Sequence, residues 1–199
     1  MDALIRLSRW IDALNEKVGQ ATIWLILAVT LISAINATVR KAFDISSNAF
    51  LEIQWYLFSA VFLLGAGYAL LKNVHVRIDV LVSRFSPRVH AWIDILGTMF
   101  FLLPISVMVI WLSWGVFMTA YTSGETSPSA GGLILWPARL LVPVGFTLLA
   151  LQGVSELIKR VAFLQGHIKL DAADEASAEE LLAEDIRRMQ EAKGGARHD

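Results

Sequence analysis

Charged side chains at the edges of long apolar runs are the first residues of this chain that could do chemistry. Glu52 precedes an uncharged run from 53 to 71, and Arg139 and Glu156 flank another apolar run. A charge within the hydrocarbon core of a membrane is costly and marks a functional site by default. The same side chains can instead extend their charged ends to the headgroups. Both interpretations stay open for these three residues.

The histidines could in principle hold a haem or a metal. His75, His90, His167 and His198 all lie in predicted loops or tails. A haem bound inside the membrane needs axial ligands within the spans, so the sequence argues against one held by this chain. His75 and Asp79, four residues apart, could bind a metal, but we favour a hydrogen-bonded pair that orders its loop.

Enzyme motifs do not stand out from the sequence. There is no Cys, which excludes disulfides, thiolate chemistry and cysteine-ligated metal. We find no nucleophile elbow, no phosphate-binding loop and no cluster of His, Asp and Glu with ligand spacing. We therefore predict that the protein is not an enzyme and needs no cofactor.

The apolar runs predict an all-α membrane protein with four transmembrane helices. The 199 residues are 56% hydrophobic and 18% charged, whereas soluble domains are usually ~45–50% apolar and ~25% charged. The predicted spans are about 18–39, 50–71, 93–121 and 133–157, within a transmembrane domain of residues 18–165. The third run is longer than a membrane core requires, so we expect a tilt or a kink, with Pro104 as its natural position.

Two shorter segments have amphipathic spacing. Residues 1–17 form either a helix lying on the membrane surface or the water-exposed start of the first span. Ile78, Leu81, Val82 and Phe85 are spaced as on one helix face, which predicts a short helix at the surface. Residues 166–199 are predicted to be a polar cytoplasmic tail.

The positions of Lys and Arg predict the orientation. Basic residues precede the first span, lie between the second and third, and follow the fourth, whereas the other side has Arg40 and Lys41 after the first span and none in 122–136. The N and C termini are therefore predicted to be cytoplasmic. Arg40, Glu52 and Arg139 then lie towards the outer face, where this acid and two arginines could pair with one another or with a partner subunit.

The interiors of the spans do not predict an ion-coupled transport site. They have no acidic, Asn-rich or broken-helix centre of the kind such a site uses. Isolated polar residues such as Asn36 and Gln152 are expected to hydrogen-bond to a neighbouring helix. Gly65 and Ala69 form a pair of small residues four positions apart, which favours a close helix contact.

Three motifs, in this order, carry a family resemblance. The first span ends in Val39-Arg40-Lys41-Ala42-Phe43; Glu52 then leads into Trp55-Tyr56-Leu57-Phe58 and Gly65-Ala66; and a loop follows with His75-Val76-Arg77-Ile78-Asp79-Val80-Leu81. In a four-span chain of this size they resemble the small membrane subunit (DctQ-like) of tripartite ATP-independent periplasmic, or TRAP, transporters. The resemblance covers about residues 18–160.

The resemblance implies a role in the bacterial inner (plasma) membrane. Such subunits pair with a large membrane subunit (DctM-like), which carries the substrate and sodium sites, and a periplasmic substrate-binding protein delivers the solute. The small subunit braces the static scaffold of the large one and forms no substrate site itself. Likeness of 124–153 to one branch of the family implies organic acid uptake. Membrane lipids are expected partners, and nucleic acid is not.

The resemblance also implies roles for five residues. Arg40, Glu52 and Arg139 would form or support contacts on the periplasmic side, while His75 and Asp79 would order the cytoplasmic loop. Two alternative functions for a four-span chain make different predictions. A membrane anchor of a redox enzyme would show a Soret band or a redox partner. A stand-alone small transporter would need the polar site at mid-membrane that the spans lack.

Overall fold

The structure, a computed structural model, describes residues 1–44, 47–73 and 86–167. The helices are α1 (Asp2–Phe43), α2 (Asn48–Leu71), α3 (Pro87–Gly97), α4 (Leu103–Ser123) and α5 (Trp136–Leu164), and a π-helical turn, Thr98–Leu102, joins α3 to α4. His75, Asp79, the amphipathic segment 78–85 and the tail from residue 168 lie outside the described residues.

Four helical stretches in the described residues are long and apolar enough to cross a membrane. They are Asp2–Phe43, Asn48–Leu71, Pro87–Ser123 and Trp136–Leu164. The prediction of an all-α protein with four membrane-spanning helices is therefore confirmed.

The first 17 residues are the beginning of α1 and continue into the first span without a break. At ~1.5 Å per residue this helix is roughly 63 Å long, about twice the thickness of a membrane core. Its buried positions, Ser8, Ile11, Asn15, Gly19 and Thr22, recur every three or four residues and so form one face. That face packs against α2 and α5.

The third span is irregular at the turn before Pro104. The backbone is π-helical from Thr98 to Leu102, and Pro104 then occupies the first turn of α4. Proline has no N–H to donate, and its ring clashes with the carbonyl four residues earlier, that of Phe100. A widened π turn separates those groups, so the irregularity lies where the proline requires it.

Helix α5 is the centre of the molecule. It packs against α1, α2, α3 and α4, whereas in the described residues α4 packs extensively only against α5. Small or polar residues of α5 are buried at these contacts, among them Gly145, Gln152, Gly153 and Ser155. The helices thus form an open arrangement around α5, with most of the surface of α4 exposed.

Glycines mark where backbones come closest. A Cβ added at Gly145 would lie 2.7 Å from the Leu63 carbonyl oxygen, and one at Gly67 would lie 2.2 Å from Oδ1 of Asn15. A Cβ at Gly65 would meet nothing within 4 Å. The close contact of α2 is therefore at Gly67, and the pair of small residues that begins at Gly65 does not mark it.

Candidate subunit site: two polar layers flanking an apolar belt

Charged residues of the described chain lie at two levels, with an uncharged belt between them. The first polar layer consists of Asp12, Glu16, Lys72, Asp94, Glu156, Lys159 and Arg160, near the start of α1, the end of α2, α3 and the end of α5. The second polar layer consists of Arg40, Glu52, Glu125 and Arg139, at the opposite ends of the helices. The intervening residues 18–39, 53–71, 95–124 and 140–155 carry no charge.

Gln152 of α5 lies beside the first polar layer and makes hydrogen bonds to two of its residues and to Asn15. Its side chain is fully buried. Its Nε2 donates to Oδ1 of Asp12 at 2.8 Å and to Oε1 of Glu156 at 3.2 Å, while its Oε1 accepts from Nδ2 of Asn15 at 3.0 Å. The Asp12 carboxylate fixes this order of donors and acceptors, because an ionised carboxylate can only accept.

Two hydroxyl groups extend this network along the α1–α5 contact. The Ser155 hydroxyl oxygen lies 2.6 Å from Oδ1 of Asp12 and 2.7 Å from the hydroxyl oxygen of Ser8. Ser8, Asn15, Gln152 and Ser155 are all buried. Apart from Oδ1 of Asn15, which accepts no hydrogen bond within the described residues, these groups satisfy one another, and a shift of either helix would leave donors and acceptors without partners. The network therefore sets the register of α1 on α5.

Ion pairs surround this network. Nζ of Lys159 lies 2.5 Å from Oε1 of Glu156 and 3.4 Å from Oδ2 of Asp12, so one ammonium neutralises two carboxylates. Lys72, just beyond α2, donates to Glu16 of α1 at 2.9 Å. This hydrogen bond to the Glu16 carboxylate raises the pKa of Lys72 above its ordinary value.

Glu52 holds the loop between α4 and α5 in the second polar layer. Its carboxylate accepts a hydrogen bond from the Ser127 hydroxyl and another from the backbone N–H of Leu133 at 2.7 Å. A Cβ at Gly132 would lie 2.5 Å from that of Ser127 and 3.0 Å from Oε1 of Glu52, so the carboxylate lies directly against the loop backbone. We call this pair of contacts the Glu52 clamp.

The loop itself folds back as a short hairpin, closed at its base by an ion pair. Thr126 and Ile134 form an antiparallel bridge. The Arg139 guanidinium donates to both carboxylate oxygens of Glu125, at 2.6 and 2.7 Å. Two further bonds join α2 to the loop, from the Asn48 amide to the Ala130 carbonyl at 3.0 Å and from the Tyr56 hydroxyl to the Ile134 carbonyl at 3.1 Å.

The sequence-predicted residues of the outer cluster do not bind one another. Glu52 and Arg139 both hold the same loop, but each has its own partner. Arg40 is exposed at the end of α1 and forms no ion pair within the described residues. His75 and Asp79 lie outside those residues, so their predicted role in ordering a loop stays a prediction.

Sequence reasoning missed the polar seam between α1 and α5. Ser8, Asp12 and Asn15 recur at i, i+4 and i+7, which is the spacing of one helix face, and Gln152, Ser155 and Glu156 recur at i, i+3 and i+4. These two polar stripes are the signal in the sequence that corresponds to the seam. Glu125, the partner of Arg139, has no signal of this kind, because it lies in a loop.

The comparisons with known proteins agree with the fold. The family model of the DctQ component of tripartite ATP-independent periplasmic transporters matches residues 29–163. No curated protein matches the chain, and no solved structure does. The matched residues extend from the first span to the end of α5 and make up more than half of the chain. The chain therefore belongs to the DctQ family, the small membrane components of TRAP transporters.

Proposed function

We propose that this chain is the small transmembrane subunit of a sodium-coupled TRAP transporter for organic acids. In this role it braces the scaffold of a large permease subunit (DctM-like) in a bacterial inner membrane. A periplasmic substrate-binding protein would deliver the solute. The chain itself forms no substrate site and catalyses no reaction.

The observation that carries this proposal is the separation of the two polar layers by an uncharged belt. Residues 18–39, 53–71, 95–124 and 140–155 contain no Asp, Glu, Lys, Arg or His that could take part in coupled ion movement across mid-membrane. The first polar layer fixes one helix to another and the second fixes the hairpin to α2, while Ser33 of α1 bonds to Gln54 of α2 within the belt. Such an arrangement suits a rigid support, and substrate and sodium sites then belong to another subunit.

The second polar layer gives the support a defined outer surface. The Glu52 clamp and the Arg139–Glu125 pair together fix the hairpin between α4 and α5. Under the predicted orientation this hairpin faces the periplasm, on the side from which the binding protein approaches. We therefore assign Glu52 and Arg139 to ordering this surface. Arg40, which is exposed in the last turn of α1, is assigned to contact with another subunit.

Co-purification tests the subunit role directly. The full chain is tagged, produced in its native membrane and isolated in a mild detergent. We expect a large polytopic membrane protein to accompany it. Uptake into vesicles is then compared with and without a sodium gradient and the binding protein, with organic acids as candidate solutes. Uptake should require both the sodium gradient and the binding protein.

Two results would contradict the proposal. If the chain is isolated with an oxidoreductase, or shows a Soret band, it is a redox anchor. If the chain alone drives sodium-dependent uptake, it holds a substrate site of its own. A substitution in the clamp, Glu52→Ala, should lower complex yield or uptake without altering which solute is used. A changed solute preference would place Glu52 near the substrate.

A further inference from the structure

A cavity on the side of α5 away from α1 has the shape and polarity of a site for one membrane lipid. Its volume is about 530 Å³, and it lies between α2 and α5 on one side and α3 and α4 on the other. Within the membrane such a space is too apolar to retain water, so it needs an apolar occupant. Glu156 lines the cavity and also accepts a hydrogen bond from Gln152, so one end of the cavity adjoins the first polar layer.

The cavity is apolar along most of its length. Phe101 and Ile105 line it from the third span, Phe146 and Leu149 from α5, and Leu70 from α2. From Phe146 to Arg160 the lining of α5 extends over 14 residues, which is roughly 21 Å at the helical rise. One leaflet of the hydrocarbon core is about 15 Å thick. The cavity is therefore long enough to take an acyl chain from the membrane surface to mid-membrane.

One end of the cavity is charged. Asn73, Asp94, Glu156 and Arg160 line this end, and Nε of Arg160 lies 3.2 Å from Oδ2 of Asp94. The rim thus offers two carboxylates and one guanidinium, and the Glu156 carboxylate keeps its ion pair with Lys159 at 2.5 Å. A carboxylate oxygen accepts more than one hydrogen bond, so Asp94 and Glu156 can receive another donor while keeping the partners they have. Arginine is the side chain best suited to phosphate.

We propose that this cavity binds a single phospholipid whose headgroup carries both a phosphate and a primary ammonium. The phosphate lies at Arg160, the ammonium donates to Asp94 and Glu156, and one acyl chain fills the apolar part. A glycerol headgroup brings no cation to Asp94 and Glu156, and a trimethylated one has no N–H to donate. The site binds phosphatidylethanolamine in preference to phosphatidylglycerol and phosphatidylcholine of the same acyl chains.

Lipid retention tests the proposal on the full chain, together with whatever subunits accompany it. The protein is placed in nanodiscs with equal amounts of the three lipids, transferred to a mild detergent, and examined by native mass spectrometry. We expect one retained phosphatidylethanolamine per chain, with about fivefold less of either competitor, as loss of one partly exposed charged contact would give. Equal retention of the three headgroups would overturn the proposal. So would loss of the lipid whenever a large subunit is bound.

Two glycines provide a blocking variant and its matched control. Gly97 lines the cavity, and a Cβ added there meets nothing within 4 Å, so Gly97→Phe places a ring into the cavity without a backbone clash. Gly115 of α4 has the same open surroundings and does not line the cavity. We expect Gly97→Phe to abolish retention and Gly115→Phe to leave it unchanged. Retention by Gly97→Phe at the level of the unaltered chain would refute the site.

A crosslinking measurement needs no variant and covers the case in which Gly97→Phe fails to fold. Phosphatidylethanolamine with a photoreactive group near the middle of its acyl chain is added to the unaltered protein. We expect crosslinks at 101–105 and 146–149, reduced by unlabelled phosphatidylethanolamine. Crosslinks spread evenly over the exposed faces of α1 and α2 would show ordinary lipid contact only. This readout does not depend on whether the chain has a transport partner.

Discussion

At the scale of single residues, Glu52 connects parts of the chain that are far apart in sequence. Its two hydrogen-bond partners lie 75 and 81 residues further along, in the hairpin between α4 and α5. A carboxylate suits this position because it can accept from a hydroxyl and a backbone N–H together. An acid at the membrane edge thus orders a loop. The sequence suggested that Glu52 could pair with Arg40 or Arg139. In the structure its partners are Ser127 and Leu133 instead.

Replacing Glu52 with alanine should loosen the hairpin. Glu52→Ala leaves the Leu133 N–H and the Ser127 hydroxyl without their acceptor, so the hairpin should open more often. The measurement is hydrogen exchange at the Leu133 amide, which should lose protection while the amides of α5 keep theirs. Ser123→Ala is the control, since that hydroxyl bonds only within its own helix. Unchanged exchange at Leu133 would show that the clamp does not hold the loop.

The buried amide of Gln152 leads to a second prediction. Gln152→Leu keeps much of the volume but removes the groups that bind Asp12, Asn15 and Glu156. Leaving buried partners unsatisfied costs about 1–3 kcal/mol for each neutral group and more for a charged one. We expect a clearly lower midpoint of thermal unfolding and faster amide hydrogen exchange over the first five turns of α1.

The control for the Gln152 variant is Thr147→Val, which also removes a polar group from α5. The Thr147 hydroxyl bonds only to the carbonyl of Pro143 in the same helix. Its loss should leave α1 protected. Equal effects of the two substitutions would mean that the polar seam does not hold α1 on α5.

At the scale of helices, close approach depends on which glycine faces a neighbour. Gly67 and Gly65 lie in the same helix, two residues apart, but only Gly67 contacts α1 and α5. Gly67→Ala would push its methyl group against the Asn15 amide, and overpacking of this kind costs about 1–3 kcal/mol. Gly65→Ala gains helix propensity without a clash. The thermal midpoint of Gly67→Ala should therefore be lower than that of the unaltered chain, and that of Gly65→Ala equal or higher. The reverse order would contradict the packing.

The same pair of glycines shows why the sequence predicts spans better than contacts. In water the apolar face of a helix is its buried face, but in a membrane the lipid-facing side is apolar too. Length and lack of charge were enough to predict four spans, and Pro104 was enough to predict where the third is irregular. The rotation of α2 about its axis, which decides between Gly65 and Gly67, has no such signal. The polar stripes of α1 and α5 were visible, but matching them requires knowing that the two helices are neighbours.

At the scale of the whole molecule, the two polar layers give the chain opposite ends with different roles. The first polar layer joins the helices by ion pairs and buried amides, and the second fixes a hairpin and leaves Arg40 exposed. Which end faces the cytoplasm follows from the distribution of Lys and Arg, which predicts the first polar layer to be inside. The functions proposed for the hairpin and for the outer surface depend on that orientation.

The absence of cysteine makes this orientation directly measurable. Ser129→Cys places a thiol on the exposed hairpin, and Gln165→Cys places one just beyond the end of α5, where the side chain is also exposed. In intact cells with a permeable outer membrane, a membrane-impermeant maleimide should label Ser129→Cys and not Gln165→Cys. After the inner membrane is opened, both should react, which shows that each thiol is accessible. If only Gln165→Cys is labelled in intact cells, the orientation is the opposite of the predicted one. The hairpin could then not meet a periplasmic binding protein.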